Sequence, residues 1–145
     1  MDRIAILDDD QLWCLAVKRF FRNSFEVSIF NDATSLLKDI EKGANQYELI
    51  MIDLSLPPSQ YIEIDGRKLI EQIRKILSNP PILVLVTGFI SKNDLENGEV
   101  ICPEADAFLG KDGGLDEILK QLQQLVVWKK NGEEKYLKFN HRSRW

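Results

Sequence analysis

Short apolar segments alternate along the chain with longer stretches in which apolar residues recur every three or four positions. The strand-like segments are residues 3–7, 25–30, 49–52, 82–86 and 107–109. The last three are apolar at every position, which is typical of strands buried on both faces of a parallel sheet. The sequence therefore predicts five βα units and an α/β fold: a doubly wound five-stranded parallel sheet with helices on both faces.

The helices are predicted from apolar periodicity and from residues suited to their ends. Asp10 and Asp32 are expected to cap the first two helices, and Gly43 suits the C-terminal end of the second. Residues 91–105 give the weakest helix prediction, because a glycine and a proline interrupt them. The periodic apolar residues of the other helices are Leu12, Leu15, Ala16 and Phe20; Leu36, Leu37 and Ile40; Leu69, Ile70, Ile73, Ile76 and Leu77; and Leu115, Ile118, Leu119, Leu122, Leu125 and Val126.

Length and composition favour one globular domain. The chain has 145 residues, of which 44% are hydrophobic and 29% charged. We expect a domain over residues 1–128 and a basic tail over residues 129–145, with no separate output domain. No apolar run could cross a bilayer and the N-terminus has no signal-peptide pattern, so the expected location is the cytoplasm. Cys14 and Cys102 have no metal-ligand spacing and are expected to be reduced packing residues.

The charge is unevenly distributed along the chain. Residues 129–145 hold six basic and two acidic residues, a net charge of +4, whereas the whole chain carries −4. Residues 1–128 therefore carry −8, which disfavours nucleic acid as a partner of the domain. Within the tail, Asn131 and Gly132 suit either a hairpin turn or the C-terminal cap of the last helix.

Polar residues follow four of the five predicted strands. Asp8 and Asp9 follow the first strand, Asp53 the third, Thr87 the fourth and Lys111, after a glycine, the fifth. Because the strands of a parallel sheet point the same way, these residues are expected to meet at the carboxyl edge, where open α/β sheets bind ligands.

The residue types at this edge predict a phosphoryl-transfer site with Mg²⁺. Two carboxylates about 4 Å apart repel by roughly 4 kcal/mol at an effective dielectric of about 20, so three of them require a cation. Oxygen ligands without His or Cys favour a hard ion, and Mg²⁺ completes its shell with water and phosphate oxygens. Asp53 is then the expected nucleophile, Lys111 the countercharge and Thr87 a hydrogen-bond donor to the phosphoryl group.

The motifs together resemble the receiver domains of two-component response regulators, especially single-domain, chemotaxis-regulator-like receivers. The resemblance runs from about Arg3 to about Val127. It implies a flavodoxin-like strand order, 2-1-3-4-5. Its motifs are Leu7-Asp8-Asp9-Asp10, Asp53-Leu54-Ser55-Leu56-Pro57, Asp65-Gly66, Val86-Thr87-Gly88 and Ala105-Asp106-Ala107-Phe108-Leu109-Gly110-Lys111.

By this resemblance Asp53 is the phosphorylated residue. The Mg²⁺ site would comprise Asp8, Asp9, Asp53 and the main-chain carbonyl of Ser55, with Asp9 a direct ligand. Lys111 would pair with the phosphoryl group.

The resemblance also implies a switch. Thr87 would be the hydroxyl that moves to the phosphoryl oxygen, and Phe108 the aromatic residue that turns inward on activation. Three departures from the family pattern lie nearby: the loop before Asp65 is longer around residues 59–63, Asp112 replaces a proline after Lys111, and Phe89 lies two residues after Thr87.

The implied partners are proteins. A histidine kinase or phosphotransfer protein would donate the phosphoryl group, and a downstream protein target would read the result. A homodimer through the predicted fourth helix, fifth strand and last helix is a further expectation. The chain's own chemistry would be limited to phosphorylation and dephosphorylation of its aspartate, so it is not expected to be an enzyme.

Two alternatives stay open at this point. One is a haloacid-dehalogenase-type phosphohydrolase, with Asp8 as nucleophile and Asp10 as acid and base. The other is a receiver-fold adaptor that acts without phosphorylation.

Overall fold

The fold was obtained as a computed structural model, which describes residues 1–43, 46–54, 65–88 and 102–132. The elements are β1 (Asp2–Leu7), α1 (Gln11–Phe21), β2 (Phe25–Phe30), α2 (Ala33–Lys42), β3 (Leu49–Asp53), α3 (Gly66–Ile76), β4 (Ile82–Thr87), β5 (Ala107–Gly110), a 3₁₀ turn (Lys111–Gly113) and α4 (Leu115–Lys130). Every predicted strand is confirmed. The α4 helix is the last helix that the sequence predicts.

The strands form one parallel sheet in the order β2-β1-β3-β4-β5, as predicted. Alternate residues of a strand point to opposite faces, so each strand feeds two cores. In β1, Ile4 and Ile6 pack in the cluster that contains residues of α1 and α4, whereas Ala5 and Leu7 pack with residues of α2 and α3. Helices on both faces of the sheet explain why the central strands are apolar throughout.

The α1 helix forms as predicted, but the apolar residues that predict it do not face the core. Leu12, Leu15 and Phe20 are 80%, 62% and 46% exposed. The buried residues of this helix are Cys14, Val17 and Phe21. The helix is apolar on two faces, and the sheet buries only one of them.

The helix ends agree with the capping predictions. The Asp10 and Asp32 side chains accept hydrogen bonds from the main-chain N–H of Trp13 and Ser35. Gly43 ends α2 in the left-handed region, at a φ of 65°.

The segment before β5 and the end of α4 can be compared with the sequence prediction. Residues 102–105 form a turn rather than the end of a helix, since the Ala105 N–H donates to the Cys102 carbonyl at 3.2 Å. The rest of that predicted helix, residues 91–101, lies outside the described residues. The α4 helix continues to Lys130, and the N–H of Gly132 donates to the carbonyl of Lys129, so a helix cap forms here. None of the helices described is long and apolar enough to span a membrane.

Candidate functional site

The sheet brings the sequence-predicted acids together at its carboxyl edge. Asp8 follows β1, and Asp53 is the last residue of β3, the strand beside β1. A carboxylate oxygen of each of Asp8, Asp9 and Asp53 lies within 4.8 Å of the other two. Asp8 and Asp53 are buried and Asp9 is exposed, so the cluster has one open side.

Asp8 is held firmly in place. Its N–H donates to the Phe30 carbonyl at 3.0 Å, which continues the β1–β2 pairing past the end of the strand. Its Oδ1 accepts from the N–H of Asp10 at 2.8 Å. Its main-chain carbonyl accepts from Asn31 Nδ2 at 2.9 Å and from Cys14 Sγ at 3.6 Å. The carboxylate therefore has a defined direction before any ligand binds.

The second oxygen of Asp8 forms an ion pair with Lys111. Lys111 Nζ lies 2.6 Å from Asp8 Oδ2, which is fully buried. The ammonium group therefore already offsets the charge of this oxygen, and a metal ion bound to Asp8 would share the carboxylate with Lys111.

The donor set fits Mg²⁺. Among the described residues it consists of three carboxylates, with an opening at Asp9 where water or a phosphate oxygen can complete an octahedral shell. Three negative charges face one ammonium group, so the site retains a negative excess that a divalent cation would offset. Ser55, whose carbonyl was predicted as a further ligand, lies outside the described residues.

Lys111 reaches the site from the 3₁₀ turn that follows β5. Its side chain is 16% exposed. Its Nζ pairs with Asp8 and also lies 4.2 Å from the centre of the Trp13 ring. A Cβ atom at Gly88 would lie 3.7 Å from Lys111 Cδ, so the ends of β4 and β5 adjoin. The peptide between Lys111 and Asp112 is trans.

Cys14 is part of the structure behind the acids rather than a nucleophile. Burial and, after it, the negative charge of Asp8 together raise the pKa of its thiol to about 11. The thiol is therefore protonated near neutral pH and remains a donor to the Asp8 carbonyl.

Gly66 lets α3 approach the end of β3 closely. A Cβ atom at this position would overlap the main-chain oxygen of Asp53 and lie 3.0 Å from the Leu54 Cα. Asp65 caps the same helix by accepting from the Lys68 N–H at 3.0 Å. The Asp65-Gly66 pair thus starts the helix and sets its distance from Asp53.

The two predicted switch residues are both buried. Thr87 ends β4 and pairs with Gly110, so it stands at the same edge as Asp53. Phe108 is 1% exposed and lies among core residues of α2 and α3.

Sequence reasoning did not assign Trp13, Asn31, Cys14 or Gly66 to their places around the site. Asn31 carried a usable signal, because it is a polar residue directly after a strand at the carboxyl edge. The sequence indicates Gly66 only as part of the Asp65-Gly66 motif. No sequence pattern indicates the contact of Trp13 with Lys111, since the two residues are 98 positions apart in the chain.

The comparisons with known proteins agree with this geometry. The family model described as "Response regulator receiver domain" matches residues 4–123. The regulatory protein VanRc of Enterococcus gallinarum is 28% identical over 141 residues, which are 97% of this chain and 53% of that protein. The chain thus spans about half the length of this curated relative.

Solved structures share the fold. A CheY-like response regulator receiver domain protein from Methanospirillum hungatei has a TM-score of 0.73 at 25% identity, over 91% of this chain and 98% of that one. The response regulator TrrA from Thermotoga maritima, solved in complex with Mg²⁺-BeF, has a TM-score of 0.69 at 20% identity, over 86% of this chain and 98% of that one. At that lower identity the likeness concerns the fold alone.

Proposed function

Because the chain belongs to the response regulator receiver domain family, we propose that it accepts a phosphoryl group on Asp53 and signals through protein contacts. The observation that carries this proposal is the cluster of Asp8, Asp9 and Asp53 beside Lys111. The cluster places a candidate nucleophile, a cation site and a fixed positive charge at one edge of the sheet.

The transfer is a single displacement at phosphorus. A carboxylate oxygen of Asp53 attacks, a P–O bond forms, and the bond from phosphorus to the donor's imidazole nitrogen breaks with its electron pair. A small donor such as acetyl phosphate reacts in the same way and releases acetate. Attack by water later returns phosphate and the free carboxylate.

The residues around Asp53 act mainly by positioning and charge. Mg²⁺, held by Asp8, Asp9, Asp53 and the Ser55 carbonyl, would neutralise charge that develops on the phosphoryl oxygens. Lys111 supplies a second positive charge to these oxygens, and Thr87 donates a hydrogen bond from its hydroxyl. No general base is required for the attack, because the proposed nucleophile is a carboxylate oxygen rather than a hydroxyl group that has to lose its proton.

A histidine kinase or phosphotransfer protein is the proposed donor, and the exposed face of α1 is its proposed docking surface. A groove of about 780 Å³ lies between this helix and the start of α4, and its apolar lining includes Leu15, Phe20 and Leu115. The first turn of α1 adjoins the acids, since Asp10 caps it. A donor helix packed in the groove can therefore bring its phosphohistidine to Asp53. Lys18, Arg19 and Arg22 border the groove and favour an acidic donor surface.

We propose that the conformational change caused by phosphorylation is transmitted to the edge of the sheet near β5. A shift of Thr87 toward the phosphoryl group opens space next to β5, where Phe108 lies. Such a shift changes the relative population of two arrangements of β5 and α4. A downstream protein, or a second copy of the chain, would bind the arrangement that phosphorylation favours. In this proposal residues 1–128 are the receiver domain and residues 129–145 its basic tail.

The hydrolase alternative is not favoured. It needs Asp10 as acid and base at the reaction centre, but the Asp10 carboxylate accepts from the Trp13 N–H at 3.0 Å and caps α1. The family match also points to the receiver.

The first test of the proposal is the intact mass after incubation with acetyl phosphate. We expect the wild type to gain one phosphoryl group in the presence of Mg²⁺ and none when the metal is chelated, because only the cation balances the three carboxylates. Circular dichroism of the metal-free protein controls for loss of fold. Equal labelling with and without Mg²⁺ would contradict the proposed role of the acidic cluster.

The docking surface is tested by Leu15→Glu. We expect phosphotransfer from a phosphorylated histidine kinase that labels the wild type to slow by about tenfold or more, because a charge would be buried in the apolar contact. Labelling by acetyl phosphate should stay unchanged. The matched control is Ile76→Glu, which places the same charge at an exposed apolar position near the far end of α3. Equal kinase rates for the two variants would exclude this face of α1.

A further inference from the structure

Trp13 lies against the ammonium group of Lys111, a contact that the proposed phosphoryl transfer does not use. The centre of its ring is 4.2 Å from Lys111 Nζ, within the range of a cation–π contact. We propose that Trp13 is a positioning residue that holds the Lys111 ammonium group at the phosphoryl site. This inference rests on the proposed function only for its effect on the rate.

The indole is well placed to orient another side chain. Trp13 is the third residue of α1. Its main-chain N–H donates a hydrogen bond to the side chain of Asp10, the N-cap of this helix, at 3.0 Å. Its ring is partly buried against the core cluster that contains Cys14 and Val17. A ring that packs against the core, on a residue whose main chain is hydrogen-bonded, has few alternative rotamers. The orientation of its face is therefore well defined.

Lys111 needs such a surface because its own stem is flexible. A lysine side chain has four rotatable carbon–carbon bonds, and its ammonium group acts as a point charge without a preferred plane. Asp8 attracts Nζ through the ion pair at 2.6 Å. The Trp13 face is a second contact of the ammonium group, with its centre 4.2 Å from Nζ. Since the Lys111 side chain is only 16% exposed, water competes weakly for this contact.

The contact would persist during phosphoryl transfer. A cation bound to Asp8 weakens the pairing of that carboxylate with Lys111, and Lys111 must then turn toward a phosphoryl oxygen. The indole carries no charge and does not titrate, so it can retain the ammonium group through this exchange. Without the ring, the lysine would reach the phosphoryl oxygen from a broader set of conformations, and the rate would fall.

The geometric part of the proposal is tested by NMR without any phosphodonor. The ring current of an aromatic face shifts nearby protons upfield, so the ε-methylene protons of Lys111 should resonate upfield of the other lysines. We expect Trp13→Leu to abolish the shift and Trp13→Phe to retain part of it. An Lys111 resonance that is the same in the wild type and in Trp13→Leu would overturn the proposal.

The kinetic part is tested by labelling with acetyl phosphate and Mg²⁺. We expect Trp13→Leu to label about fivefold more slowly than the wild type, and Trp13→Phe to label within about twofold of it. The matched control is Trp128→Leu, which removes a second partly buried tryptophan from the same core cluster and should not slow labelling. Equal slowing by Trp13→Leu and Trp128→Leu, or none by Trp13→Leu, would overturn the positioning role.

The two tests separate the inference from the proposed function. If the wild type takes up no phosphate, the proposed function fails, while the NMR shift still decides whether Trp13 holds Lys111. If Trp13→Leu does not fold, the Lys111 shift in the wild type and its reduction in Trp13→Phe decide the geometry.

Discussion

Replacement of Asp53 by asparagine is expected to reduce phosphate uptake to the detection limit. The substitution keeps the size of the side chain, so the fold should be retained, but it removes the nucleophilic oxygen that the proposed transfer requires. Intact mass after incubation with acetyl phosphate and Mg²⁺ gives the measurement. The wild type should gain one phosphoryl group and the Asp53→Asn variant none.

The matched control is Asp116→Asn. Asp116 is an exposed acid in the first turn of α4 and is not part of the cluster. This variant should label like the wild type. Stoichiometric labelling of Asp53→Asn would refute the assignment of the acceptor, and peptide mapping would then show whether Asp8 or Asp9 carries the group. Label on Asp8 would revive the hydrolase alternative.

Replacement of Gly66 by alanine is expected to have the second largest effect. The added Cβ would overlap the main-chain oxygen of Asp53, so either α3 or the end of β3 has to move. Overpacking of this kind lowers the free energy of unfolding by about 1–3 kcal/mol. Because the displaced strand end carries Asp53, the proposed acceptor, labelling should slow by about tenfold or more. Urea unfolding and acetyl phosphate labelling measure the two effects.

Gly43→Ala distinguishes a loss of stability from a displaced site. Gly43 ends α2 at a φ of 65°, and an added Cβ would meet no atom within 4 Å. The left-handed conformation makes this substitution cost about 1 kcal/mol of stability. Its labelling rate should nevertheless equal that of the wild type. If Gly66→Ala also labels at the wild-type rate, the close approach of α3 does not position Asp53.

The site could be predicted from the sequence because its residues sit at the ends of recognisable strands. Asp8, Asp53 and Thr87 each follow or end an apolar run, and parallel strands bring such ends to one edge whatever the details of packing. The three carboxylates are within 4.8 Å of one another, as this argument requires. The residues from 55 to 64 lie outside the described structure, so the role of Ser55 remains a prediction.

The orientation of α1 could not be predicted in the same way. Leu12, Leu15 and Phe20 form one apolar face, and Cys14, Val17 and Phe21 form another. Both have helical spacing, so periodicity identifies the helix but does not choose the face. The choice depends on which face fits the surface of the sheet and α4, where Cys14 also finds a hydrogen-bond acceptor in the Asp8 carbonyl.

By itself, the sequence determined the alternation of strands and helices, the parallel sheet and the acidic edge on which the proposed chemistry rests. These follow from local patterns: continuous apolar strands, capping residues and polar residues at strand ends. The tertiary structure alone decided which face of α1 is buried, that Trp13 faces Lys111, and that α3 leaves no room for a side chain at Gly66. These contacts join surfaces from distant parts of the chain, and their packing has no counterpart in the pattern of any single segment.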